Sequence, residues 1–312
     1  MNKKVLALMI VFSIMFIAVQ CGKTQTKTTG GTFISGTDGV KISFKDTMVS
    51  EFQQSDSVPV NVILQNKGEN DLIAGEAKVK LFGVDLANFG LSSAKSYKGT
   101  TGALKGISSI NPEGSEQEVN FGNMKYAQQV VGSDISYTLR AKVCYPYKTN
   151  ALSGVCMTSK EFEKVETGIC SLSGEKITKG DVSSAPVQIT SITEETRGSE
   201  QVKFNIKIEN KGDGNIYSIT SNCDELDKDS IKALDKKNKV SYEVLAPTNV
   251  KCGSAEASKG EITLVAGDKG ASSYTLTCWK TVDDIYEDKL NIRISYIYIS
   301  ETSKQIRIYK TL

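Results

Sequence analysis

Seven cysteines and no histidine bound the chemistry open to this chain of 312 residues. Without histidine, the commonest general base and the commonest metal ligand are both missing. Cys21 stands apart, directly after an apolar run. The other six, Cys144, Cys156, Cys170, Cys223, Cys252 and Cys278, are spaced 12, 14, 53, 29 and 26 residues apart. No C-x-x-C pair occurs, so the spacing does not suit zinc. An even number in an exported chain predicts three disulfides. The expected pairs are Cys144–Cys156 on the two arms of a hairpin, Cys252–Cys278 within the second half, and Cys170–Cys223 between a linker and the second half.

Other constellations are weaker. Ser92-Ser93-Ala94-Lys95 matches S-x-x-K, a serine-nucleophile pattern, but its companion motifs are absent and the match reads as chance. Asp224, Glu225, Asp227 and Asp229 crowd together beside Cys223. Hard cations take carboxylates, yet the spacing is not that of an EF-hand and Lys228 interrupts it, so a solvated charged face is expected. Trp279 follows Cys278, which predicts a core tryptophan against a disulfide. No Walker motif, no strand-linked G-x-G-x-x-G and no N-glycosylation sequon occurs. The sequence assembles no catalytic set and implies no cofactor or metal.

Lys+Arg 38 against Asp+Glu 36 leave a net charge of +2, which gives no argument for nucleic-acid binding. The N-terminus reads as an export signal. Lys3 and Lys4 precede the apolar run Val5–Val19, which is short beside the roughly 20 residues a bilayer span needs. Cys21 and a Thr/Lys/Gly-rich stretch follow, the pattern of a lipoprotein signal in which Cys21 is lipidated. Gln20 departs from it, since a small residue belongs there, so an uncleaved anchor and simple secretion stay open. Each outcome puts the chain outside the cytoplasm.

The elements that must position these residues are strands. Val58–Gly68 (VPVNVILQNKG) recurs as Val202–Gly212 (VKFNIKIENKG), 144 positions later. Both copies alternate and both end in a turn with glycine. Val40–Phe44, Glu76–Val84, Gln117–Phe121, Tyr137–Tyr145, Val240–Leu245, Glu261–Val265 and Tyr274–Trp279 also read as strands. Pro146–Ser153 reads as a turn returning through Gly154–Thr158, with Tyr145 inward and Tyr147 covering the turn. Leu290–Ile299 and Gln305–Tyr309 read as a terminal hairpin whose Ile297 and Ile299 lie opposite Tyr296 and Tyr298. Asp85–Gly114 is a long, weakly patterned loop, where local function would be sought. The expected fold is all-β: a signal or anchor (1–21), a tether (22–35), an Ig-like β-sandwich (36–165), a linker (166–185) and a second Ig-like sandwich (186–312).

The repeated V-x-V-x-I-x-N-K-G strand resembles CARDB-like and related Ig-like modules of bacterial and archaeal surface proteins. Gly36–Phe44 (GTDGVKISF), the first N-K-G strand and Cys144–Tyr147 (CYPY) with Cys156 are similar to a group of uncharacterised archaeal envelope proteins. That resemblance covers most of 36–312 and implies fold and location, with no site residues. The expected role is a membrane-anchored, non-catalytic structural or adhesion-type protein, its partners the membrane and an envelope protein or polysaccharide. The alternative is a solute- or glycan-binding lipoprotein serving a transporter.

Overall fold

The computed structural model describes residues 31–160, 168–227, 231–267 and 272–311. The signal or anchor, Cys21, tether residues 22–30 and Asp229 lie outside the described residues. The first half supplies β1 (Val40–Phe44), β2 (Glu51–Gln53), β3 (Val58–Asn66), β4 (Lys78–Phe82), β5 (Lys98–Gly99), β6 (Glu116–Met124) and β7 (Asp134–Met157). The second supplies β8 (Val187–Arg197), β9 (Gln201–Asn210), β10 (Asn215–Tyr217), the short helices α1 (Cys223–Leu226) and α2 (Ile231–Lys236), β11 (Lys239–Ala246), β12 (Lys251–Cys252), β13 (Lys259–Thr263), β14 (Val265–Ala266), β15 (Ser272–Thr281) and β16 (Tyr286–Tyr309). The protein is all-β, built of mostly antiparallel sheets.

Each half keeps one sheet of its own: β1-β3-β6 in the first, and β12-β15-β9-β8 with β14 in the second. The third sheet is common to both. Its path is β13-β11-β16-β7-β4-β5, with β10 and β2 also pairing β16. This corrects the expectation of two sandwiches in tandem. Residues Gly31–Leu312 form one compact unit, and its main hydrophobic core draws on both halves. Residues 166–185, expected as a linker, are built in where they are described: Val182 and Ala185 are buried, and Val182 bridges Ala151 of β7.

The cause is the length of two strands. β7 and β16 each run 24 residues and pair antiparallel from Asp134↔Tyr309 to Met157↔Tyr286. No hairpin turn occurs at Pro146–Ser153, and none at Ser300–Lys304. In β7 the odd positions stay inward without a break: Leu139, Ala141, Val143, Tyr145, Tyr147, Thr149, Ala151, Ser153, Val155 and Met157 are all buried. The inward Thr, Ala and Ser of the second stretch weaken the apolar half of the period-two signal. Pro146 removes a donor, but the β4 ladder ends at Cys144, so β7 has a neighbour only on the β16 side at that point. A sheet tolerates proline at such a place.

A continuous β7 also re-sorts the cysteines. Cys144 and Cys156 sit on one strand about 40 Å apart at roughly 3.3 Å per residue, far beyond disulfide reach. The observed pairs are Cys144–Cys223, Cys156–Cys170 and Cys252–Cys278. Cys144–Cys156 and Cys170–Cys223 are therefore corrected, while Cys252–Cys278 joins the sulfurs expected. The last pair faces directly across β12 and β15. On the chain-entropy model, closing the 79-residue loop of Cys144–Cys223 contributes about 4.5 kcal/mol and the 14-residue loop of Cys156–Cys170 about 3 kcal/mol.

A shared sheet makes the halves interdependent, so thermal or urea unfolding of residues 31–312 will proceed in a single cooperative transition. Two resolved transitions in calorimetry would contradict the fused core. Non-reducing peptide mapping will recover Cys144 linked to Cys223; a Cys144–Cys156 peptide would overturn the strand register.

Candidate functional site

The middle of the β7–β16 ladder carries four tyrosines around the pair Pro146↔Ile297: Tyr145 faces Tyr298 and Tyr147 faces Tyr296. All four are buried. Their rings form a square with centroid separations of 5.4 Å (Tyr145–Tyr147), 5.9 Å (Tyr145–Tyr298), 6.5 Å (Tyr147–Tyr296) and 6.2 Å (Tyr296–Tyr298). Such contacts add about 0.5–1.5 kcal/mol per pair beyond area burial.

Each hydroxyl is used, and the uses repeat. The Tyr145 hydroxyl accepts from Val40 N–H at 3.1 Å, and Tyr296 accepts from Val187 N–H at 3.2 Å. Tyr147 donates to Asn66 Oδ1 at 2.9 Å, while Tyr298 accepts from Gly214 N–H at 2.7 Å and lies 3.4 Å from Asn210 Oδ1. Here the repeated N-K-G turn finds its physical reason. A Cβ at Gly68 would run into the Tyr147 hydroxyl, and one at Gly212 into that of Tyr298. The asparagine receives the hydroxyl and the glycine leaves room for it. Burial pushes the phenols up, Tyr298 to about 12, so they stay neutral hydroxyls. The Tyr145-Pro146-Tyr147 stretch, expected at a turn, is thus the middle of the β7–β16 ladder.

The two N-K-G turns differ in what covers them. Asp85–Gly114 packs on the first: Leu86, Phe89, Leu91, Ala94 and Leu104 are buried, and Ile107 N–H bonds Gly68 O at 2.8 Å. This loop is framework. Its S-x-x-K stretch is a 3-10 turn (Ser92–Lys95), with Lys95 lying 3.8 Å from Asp85. Around the second turn lies an open polar groove of about 550 Å³, lined among others by Lys211, Asp213, Asn215, Lys237, Asn238 and Ser272.

On the outer face of the common sheet, Ile297 and Ile299 are covered by Leu226, Tyr217, Ile219, Ala233 and Tyr97. The Cys144–Cys223 disulfide pins α1 there. Asp227 bonds both Lys80 of β4 and Lys142 of β7. Burial raises the Asp227 carboxyl, but the ammonium groups of Lys142 and Lys80 outweigh it and hold it below its ordinary value. The acidic cluster is therefore a latch at Asp227, and among the described residues no group of three or more Cys, Asp or Glu is placed to hold a metal. Trp279 is only partly buried, with the Arg197 guanidinium 3.9 Å over its ring. It lies outside the core because Cys278, its neighbour in β15, takes the inward position.

Sequence reasoning missed a buried carboxylate. Glu194 of β8 is enclosed, its Oε1 accepting from Cys156 N–H at 2.8 Å and its Oε2 lying 2.9 Å from Lys176 Nζ. Burial raises its pKa despite those partners. The signal was present: Ile192 and Glu194 are alternate, hence same-face, residues of one strand. Beside it opens a cleft of about 570 Å³, lined among others by Cys156, Cys170, Lys176, Glu287 and Lys289.

No protein-family model and no curated protein matches the chain. Among solved structures, the secreted serine protease VesC from Vibrio cholerae aligns at 9% identity over 84% of this chain and 50% of that one, with a TM-score of 0.19. The chain thus spans about half the length of that protein, and a likeness of this degree carries no argument about fold or activity.

Replacing Asp227 with Asn will cost about 2 kcal/mol at pH 7, the order of a charge-assisted bond lost from a partly buried site. Because the carboxyl is held below its unfolded value of 3.8, its contribution is full above that pH and fades as pH falls through the folded value. Urea titrations at pH 7 and pH 3 will show the gap between wild type and D227N closing at the lower pH; an equal gap at both would refute the latch. Tyr298→Phe will cost about 1–2 kcal/mol by leaving Gly214 N–H without its acceptor.

Proposed function

We propose that this protein is a membrane-anchored structural or interaction module of the cell envelope, acting outside the cytoplasm and without catalysis. Three disulfides indicate an oxidising compartment. No helix among the described residues is long and apolar enough to cross a membrane, so the anchor in this reading is the segment ending at Cys21. The observation that carries the role is the fused ladder: 24 residue pairs, a tyrosine square at its centre and a disulfide to α1 on its back. A body of this kind resists local unfolding, which suits display on a surface. A second reading, a glycan- or solute-binding lipoprotein, is favoured by the polar groove at the second N-K-G turn.

Detergent-phase partitioning of the whole chain tests the anchor. Wild type is expected in the detergent phase and C21S in the aqueous phase. Retention of C21S in membranes would replace lipidation by an uncleaved anchor, and release of both proteins to the medium would defeat the anchored reading. Cross-linking in intact envelopes is expected to trap a macromolecular neighbour. Saturable binding of soluble oligosaccharide, abolished by Asn215→Ala, would instead favour the second reading.

A further inference from the structure

The three disulfides differ in access. Cys144, Cys252 and Cys278 are fully enclosed (0% exposed) and Cys223 is nearly so at 5%. The Cys156–Cys170 pair lines the 570 Å³ cleft; Cys156 is itself enclosed at 2%, and the half-buried Cys170 is the member with access. It also closes the shortest loop of the three, 14 residues against 26 and 79. Opening it therefore frees the least chain.

What surrounds the pair would keep its sulfurs together once the bond is broken. Glu194 Oε1 holds the backbone N–H of Cys156. Glu194 Oε2 pairs with Lys176, whose ammonium also donates to Ser171 O at 2.5 Å and Ser173 O at 3.4 Å, directly after Cys170. One carboxylate and one ammonium thus bind both cysteine segments without using the disulfide. Lys176 lines the same cleft, together with Lys289 and the carboxylates Glu287 and Asp288. Cys170 Sγ also lies 3.6 Å from Tyr286 O of β16.

We propose that Cys156–Cys170 is a reversible thiol–disulfide exchange site, open to a small or peptide-borne thiol, while the other two disulfides are structural. An external thiolate attacks Cys170 Sγ from the cleft. The Cys156–Cys170 bond breaks, a mixed disulfide forms at Cys170, and Cys156 leaves as a thiolate that takes the proton lost by the attacking thiol. A second external thiol then attacks the external sulfur of the mixed disulfide, and its proton passes to Cys170. Two external thiols become one disulfide, and the protein disulfide becomes two thiols. The reverse sequence restores it. The exchange is stoichiometric and adds a redox activity to the envelope role without depending on it.

The test is a graded reduction of the folded whole chain with dithiothreitol or glutathione, quenched with N-ethylmaleimide and read by peptide mass spectrometry, with circular dichroism in parallel. Cys156 and Cys170 are expected to be labelled at least about 10-fold faster than the other four, with the β signal unchanged, and glutathione disulfide to reclose the bond. Reduction of all three disulfides together, or only as the protein unfolds, would overturn the proposal, as would prior reduction of Cys252–Cys278. Lys176→Met is expected to slow reclosure severalfold while leaving first-step access to Cys170 intact; an unchanged reclosure rate would remove Lys176 from the positioning role. Cys156→Ser leaves Cys170 unpaired, and it is expected to form a mixed disulfide with glutathione in the folded protein. Failure of folded C156S to do so would also overturn the site.

Discussion

The antiparallel pairing of β7 with β16 is the constraint from which the rest of the molecule follows. Neither strand belongs wholly to one half. The stretch of β7 before Pro146 pairs with β4 of its own half, and the stretch after it lies against the part of β16 that β11 flanks. The later stretch of β16 returns the exchange by running beside β7 and β2 of the first half. An approximate two-fold axis passes through Pro146↔Ile297. It relates Tyr147 with Asn66 and Gly68 to Tyr298 with Asn210 and Gly212, and Tyr145 with Val40 to Tyr296 with Val187. Each small sheet thereby completes its core on a surface to which both halves contribute.

The halves part company away from that axis, and the differences lie where chemistry is available. The first turn is roofed by Asp85–Gly114, while among the described residues no loop of that kind covers the second. The second half sends α1 and α2 across the back of the common sheet, where the Asp227 latch and Cys144–Cys223 hold them. Glu194 and Lys176 stand beside the disulfide whose Cys170 is only half-buried. The electrostatic groups thus tie covering segments to a ladder whose own stability comes from hydrogen bonding and apolar burial.

Much of the fold was legible, and the failures share one physical origin. Short alternating runs such as Val58–Gln65 and Val202–Glu209 were read correctly because their inward residues are all large and apolar. Residues 146–157 and 300–304 were misread because proline, glycine and small polar residues carry turn propensity locally, while their place between paired strands holds them extended. Pairing partners outweigh local preference in a sheet. The disulfide errors follow from that single misreading, since a strand that does not fold back cannot bring Cys156 to Cys144. Of the candidate site, the carboxylate of Glu194 was within reach of the alternation pattern. Lys176, in an irregular segment with no alternation to read, was not.

By itself the amino-acid sequence determined the all-β class, the oxidising compartment implied by six paired cysteines, and the repeat marked by Asn-Lys-Gly, because alternation, composition and repetition are local properties of the chain. Only the tertiary structure decided that the two repeats share a sheet, which cysteines meet, that Tyr145 and Tyr147 stand in the middle of the β7–β16 ladder, and that Asp227 faces lysines. Those outcomes depend on which distant strands hydrogen-bond to which. A strand exposes the same donors and acceptors to any partner, so its neighbour is chosen by the packing of the whole core and is not written in the strand's own residues.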